Sequence, residues 1–169
     1  PATEEVLGHA SKATPADVER ALKSAEKGLQ VWKKTPPWQR AYTLRKIADK
    51  MREKQDVLAK WMTLENGKPL AEGVGETSGA ADIFEWNAEE TKRIFGQTIE
   101  SRFEDTRVHV YYQPVGVIAA LSPWNFPLIL AARKISTALA AGCSVIIKPD
   151  TITPGVVMEL VDICRECGV

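Results

Sequence analysis

Two short segments carry the residues best suited to chemistry. In Ser122-Pro-Trp-Asn-Phe-Pro127, Asn125 lies between Trp124 and Phe126, and Pro123 and Pro127 flank all three. Proline fixes its own φ and restricts the residue before it, so the Asn125 carboxamide is expected in a stiff loop. A fixed amide N–H donor suits a developing oxyanion, while a proline-stiffened turn closed by an Asx-type hydrogen bond uses the same residues. The second segment, Lys148-Pro-Asp-Thr-Ile-Thr-Pro154, sets an ammonium beside Pro149, Asp150 and Thr151. Neither segment is a GxGxxG or a P-loop, so no glycine-lined phosphate cradle is expected in them.

The cysteines offer less. Cys143, Cys164 and Cys167 are an odd, sparse set that does not fit a disulfide framework and suits a reducing compartment such as the cytoplasm. Cys164 and Cys167 form a CxxC with no second pair, and His9 and His109 have no metal-type spacing. Two thiols alone do not close a tetrahedral zinc site, so ordinary semi-buried thiols are expected and no metal.

The elements that must position these segments can be read from periodicity. Thr14 can cap and Pro15 can open a helix carrying Val18, Ala21, Leu22, Ala25, Leu29 and Trp32 on one face, ended by Thr35-Pro36-Pro37. Further helices are predicted over Trp38–Lys54, over Asp56–Glu65 with Asn66-Gly67 as its stop, and from Pro69 to Phe95. After Gly96 the pattern changes. Arg107–Gln113 is β-branched and aromatic, Gly116–Ser122 is a continuous apolar run of the kind a parallel strand buried on both faces shows, and Ser144–Lys148 is a second such run. Helices at Pro127–Ala141 and Thr153–Glu166 complete a βαβα unit, which calls for a right-handed crossover and a parallel sheet. Ligands of such sheets bind beyond the carboxyl ends of the strands, where both segments fall.

Composition narrows the function classes. Lys+Arg 22 against Asp+Glu 22 gives no net charge, and 44% of residues are hydrophobic. That argues for a packed core, not a disordered chain, and leaves no electrostatic footprint for nucleic acid or an anionic membrane. The basic residues near Trp32 and Trp38 read as the solvated side of an amphipathic helix. The apolar stretches are too short to span a bilayer. The opening residues, PATEEVLG, resemble neither a secretory nor a transit signal and read as a cut end.

The stretch GVIAALSPWNFPLILAARKISTALAAGCSVIIKPDTITP resembles the signature of the NAD(P)-dependent aldehyde dehydrogenase superfamily, and LENGKPLAEGVGE and FEWNAEETKRIFG resemble the segments upstream of it. The likeness covers the whole chain and is greatest to the succinate-semialdehyde and related acid-semialdehyde dehydrogenases. It implies an α/β fold in which residues 1–96 are the helical part of a cofactor-binding domain, 97–113 are bridging strands that join subunits, and 114–169 begin a Rossmann-like parallel sheet. Asn125 is then the oxyanion donor. Leu121, Ser122, Pro123, Trp124, Asn125, Lys148, Pro149, Asp150 and Thr151 are cofactor contacts, with Lys148 on the adenosine ribose, and Phe126 lines the aldehyde channel.

The resemblance also bears on specificity. Thr151 stands where many NAD-preferring relatives carry a glutamate, so NADP is expected to be accepted alongside NAD, unless Asp150 turns in to replace that carboxylate. Arg133 matches a substrate-carboxylate ligand; it follows Asn125 by eight residues, about 80° around an ideal helix if the helical spacing reached back that far. A homodimer or homotetramer is the implied state of the parent. The nucleophilic cysteine and the deacylating glutamate of the family mechanism have no match here. The resemblance therefore implies the amino-terminal part of a longer oxidoreductase acting on a small aldehyde, and the alternative is a nucleotide-binding fragment without chemistry of its own.

Overall fold

The computed structural model describes residues 3–169. Six α-helices and four strands follow in the order α1 (Pro15–Trp32), α2 (Pro37–Glu53), α3 (Gln55–Asn66), α4 (Leu70–Glu90), β1 (Gln97–Glu100), β2 (Arg107–Val110), β3 (Val117–Leu121), α5 (Pro127–Ala140), β4 (Ser144–Lys148) and α6 (Pro154–Glu166). The boundaries follow local chemistry. Thr14 closes a capping box with Asp17, its hydroxyl accepting from the Asp17 amide and its own amide donating to the Asp17 carboxylate. The Thr14 hydroxyl also donates to that carboxylate at 2.6 Å, and this bond, with the one from the Thr14 amide, holds the Asp17 carboxyl below its ordinary range. Gly67 ends α3 at φ 78°, the left-handed conformation that only glycine adopts without strain.

β3 and β4 pair in parallel, in register from Val117 with Ser144 to Leu121 with Lys148, and β1 pairs antiparallel with β2. The core lies among the helices. Leu44, Ile47 and Met51 of α2, Leu58 and Met62 of α3, Phe84 of α4, Leu128 of α5 and Leu160 of α6 are fully buried. α1 packs on the β3–β4 sheet and contributes no buried residue; its last turn is tied down where the Trp32 indole N–H donates to the Leu139 carbonyl at 2.8 Å.

Three expectations change. The Pro69–Phe95 helix stops at Glu90, passes through a 3₁₀ turn at Thr91–Arg93 and leaves Phe95 exposed. β2 ends at Val110, with Tyr111 and Tyr112 outside the ladder. β3 is not buried on both faces, because Ala119 and Leu121 are exposed while Ala120 is covered. An apolar run records the capacity for burial, and covering depends on which elements lie above it.

Candidate active site

Both chemistry-bearing segments leave from one edge. Leu121 and Lys148 are partners at the carboxyl ends of β3 and β4, and the Ser122 amide donates to the Lys148 carbonyl at 3.2 Å, extending the pairing into the first loop. That loop is held chiefly by its main chain. The Asn66 side-chain amide donates to the Trp124 carbonyl at 2.7 Å, and the Lys68 ammonium donates to the Asn125 carbonyl at 3.1 Å. Lys68 also lies 4.1 Å from the centroid of the Phe126 ring, within cation–π range.

The Lys68 charge is balanced by Glu76 of α4, which forms an ion pair with it; their side chains are 7% and 2% exposed. The other Glu76 oxygen accepts from the amides of Leu128 at 2.9 Å and Ile129 at 3.1 Å, two of the free N–H groups in the first turn of α5. Phe126, the residue at the cap position, provides no side-chain bond, so a carboxylate from another helix does the capping. Lys68 and Glu76 thereby fix both the loop and the helix that follows it.

The second loop repeats the device. Glu65, near the end of α3, accepts from the amides of Gly155 and Val156 in the first turn of α6 at 2.6 Å and 3.1 Å. Burial pushes its carboxyl above the ordinary range, against the opposing pull of those two bonds. With both helix N-termini occupied by carboxylates of the chain itself, neither is free to receive a phosphate. Asp150 accepts from the Ile152 amide at 3.0 Å, which commits one of its oxygens to its own turn. Thr151 is exposed, and Lys148 is exposed with no ion pair among the described residues.

Asn125 is exposed, and among the described residues its carboxamide makes no hydrogen bond. Pro123 is also exposed, Pro149 half-buried, and Ser122 is buried with its hydroxyl directed to the Pro127 carbonyl at 3.4 Å. Trp124 and Phe126 are about half exposed, so it is the main chain of Asn125, not its side chain, that is immobilised.

Arg133 lies on the helix that follows the first loop. It is exposed on α5 and lines an open, mainly apolar groove of about 500 Å³ with Val115, Ile118, Ala119 and Thr137, whereas Asn125 and Phe126 are not on that lining. The helical spacing does not reach back to Asn125, because α5 begins at Pro127 and Phe126 has φ −134° and ψ 69°.

The positioning residues Glu65, Asn66, Lys68 and Glu76 were not singled out from the sequence. The available signal was Glu76 itself, a carboxylate on a helix face otherwise made of Gly73, Thr77 and Ala80, all buried. Cys143, a buried residue, borders the Arg133 groove. Cys164 is buried and its thiol is pushed up to about 12, mainly by desolvation, which leaves little thiolate near neutral pH.

The strand-end residues fit one end of a dinucleotide. An ammonium at Lys148 with no ion pair among the described residues can donate to ribose hydroxyls, and Leu121 at the end of β3, with Trp124 and Ile152 on the two loops, leaves apolar surface uncovered. No described helix is long and apolar enough to cross a membrane.

Comparison with known proteins gives a consistent result. The chain is 44% identical over 169 residues to the glutarate-semialdehyde dehydrogenase of Pseudomonas aeruginosa, covering all of this chain and 35% of that protein. It is also 44% identical to the succinate-semialdehyde dehydrogenase [NADP(+)] of Escherichia coli strain K12, again over all of this chain and 35% of the relative. The crystal structure of succinate-semialdehyde dehydrogenase from Burkholderia pseudomallei superimposes with a TM-score of 0.98 at 40% identity, covering 100% of this chain and 35% of that one. The chain thus spans about a third of the length of the relatives it matches. Members of this family use NAD(P). With residues 1–169 matching throughout, the chain belongs to the aldehyde dehydrogenase family.

Proposed function

We propose that this chain is the part of an aldehyde dehydrogenase that holds the oxyanion donor and the ribose end of NAD(P), in an enzyme oxidising an acid semialdehyde such as succinate semialdehyde to the carboxylate. The observation that carries this reading is the Asn125 loop: its backbone is clamped by Asn66 and by the buried Lys68–Glu76 pair, while its carboxamide is left without a partner. A preorganised donor of this kind stabilises the charge that develops when a nucleophile adds to the aldehyde carbon. Lys148 donates to the ribose hydroxyls, Trp124 contacts the cofactor through its main chain, and Phe126 lines the aldehyde channel. Hydride acceptance is the chemistry NAD(P) supplies when bound.

Arg133 binds the distal carboxylate of the substrate, through the two parallel hydrogen bonds a guanidinium can offer. Residues 1–96 serve as the helical support, 114–169 as the nucleotide-binding βαβα unit, and 97–113 as the bridge between subunits of a homodimer or homotetramer. Supporting the last assignment, every β1 residue is exposed, and Phe103, Tyr111 and Tyr112 lie bare in the same region. The three free cysteines accord with a cytoplasmic setting. Cys143 and Cys164 are buried and burial pushes the half-buried Cys167 thiol up; with no match in this chain for the family's nucleophilic cysteine and deacylating glutamate, the isolated chain is expected to oxidise no aldehyde.

The test is Asn125→Ala in the complete gene product that contains this chain. Turnover is expected to fall about 10²–10³-fold, roughly 2.7–4 kcal/mol of transition-state stabilisation, with cofactor binding little changed. Unchanged turnover would overturn the assignment.

A further inference from the structure

We propose that Lys68 is a positioning residue for catalysis: held by Glu76, its ammonium fixes the main chain at Asn125 and thereby aims the Asn125 carboxamide. The proposal rests on the reading of Asn125 as the oxyanion donor.

An ammonium has three donors and no acceptor. At Lys68 the interactions present are the ion pair with Glu76, the bond to the Asn125 carbonyl at 3.1 Å, and the Phe126 ring at 4.1 Å from Nζ. Two of these three lie in the loop, on Asn125 and on the residue after it. Glu76 carries the same restraint into α5 through the Leu128 and Ile129 amides, so the loop is gripped at Trp124, Asn125 and Phe126 and again just beyond Pro127. Such a grip exceeds what folding demands, since a buried ion pair is often replaceable by uncharged residues without loss of stability.

Lys68 donates to the main chain of Asn125 and not to its carboxamide, so its action on that side chain is geometric. An oxyanion donor works only when its nitrogen lies about 2.7–3.1 Å from the oxygen as charge develops. Rotation of the Asn125 backbone by a small angle would carry the exposed carboxamide out of that range, and the Lys68 bond opposes that rotation.

The double variant Lys68→Met/Glu76→Gln tests this in the complete gene product. Its side chains keep similar length, leave no buried charge, and retain an acceptor at residue 76 for the α5 amides; what the loop loses is the donor to Asn125 and the cation over the Phe126 ring. A thermal melt establishes that the variant folds. The expected result is a fall in kcat of about 10–100-fold, with the Michaelis constants for aldehyde and cofactor within about twofold. In an Asn125→Ala background the same pair of substitutions is expected to cost nothing further, because Lys68 acts through Asn125.

An equal loss in both backgrounds, or wild-type kcat in the folded double variant beside a collapsed Asn125→Ala, would overturn the positioning role alone. Wild-type kcat in Asn125→Ala would overturn the oxyanion reading and this proposal with it. Should the double variant not fold, Lys68→Arg, which keeps the buried charge pair and moves the donor, takes its place under the same criteria.

Discussion

The Glu65 carboxylate lies 2.6 Å from the amide nitrogen of Gly155, across ninety residues of sequence. The approach is close enough to require glycine: a Cβ at position 155 would come within 2.7 Å of Glu65 Oε1 and 2.8 Å of Trp61 Cε3. Gly155→Ala is therefore expected to push the carboxylate off the first turn of α6 and to destabilise the chain by about 1–3 kcal/mol, the usual scale for overpacking. Urea or thermal unfolding of the two forms measures it.

The same carboxylate makes stability depend on pH. Burial raises the Glu65 carboxyl above its ordinary value of 4.5. The folded chain then holds this proton more tightly than the unfolded one. Its contribution is fully present below the unfolded value and is lost as pH rises through the folded value. Glu65→Gln, which keeps one acceptor oxygen where the carboxylate offers one each to the Gly155 and Val156 amides, removes the dependence. The melting temperature of the variant relative to the parent is expected to be more favourable near about pH 7 than near about pH 4. A difference of the opposite sign would show that the hydrogen bonds outweigh burial.

Arg133 stands clear of any ion pair among the described residues, at an exposed position on α5 beside an apolar groove. If it grips the substrate carboxylate, Arg133→Ala should raise KM for succinate semialdehyde about 10–100-fold, the loss of roughly 1.5–3 kcal/mol from hydrogen bonds to a charged group. A neutral aldehyde of similar length should show a much smaller rise. Equal effects on the two substrates would return Arg133 to the helix surface.

Cofactor preference is expected to turn on Asp150 and Thr151. Asp150 is engaged by the Ile152 amide, and Thr151 offers an uncharged hydroxyl. A ribose 2′-phosphate would meet no free carboxylate at position 151, so NADP is expected to be accepted. Thr151→Glu should lower kcat/KM with NADP by about tenfold or more relative to NAD, through repulsion of the phosphate. A strong NAD preference in the unsubstituted protein would show that Asp150 can leave its turn.

Much of the architecture was legible because its signals are local. Thr14 and Pro15 opened α1, Gly67 closed α3, and the apolar run Ser144–Lys148 marked β4 residue for residue. The PWNFP and KP segments announced themselves through proline restriction and residue type, and the resemblance they carry matched the family across the chain. Less legible were the exposure of β3 and the absence of buried residues in α1, since both depend on what lies against them.

By itself, the sequence determined the order and extent of most elements, the family, and which residues have the chemistry to donate to an oxyanion or a ribose. Those properties follow from short-range sterics and periodicity, which act over a few residues. Only the tertiary structure decided how the two loops are held. Lys68 meets the first loop at a separation of 57 residues, Glu76 meets the start of α5 at 52, and Glu65 meets α6 at 90. Nothing in local propensity pairs a carboxylate with an amide so far along the chain. Desolvation does, because the free N–H groups of a buried helix end must find an acceptor, and packing α3 and α4 against α5 and α6 determines which acceptor is there.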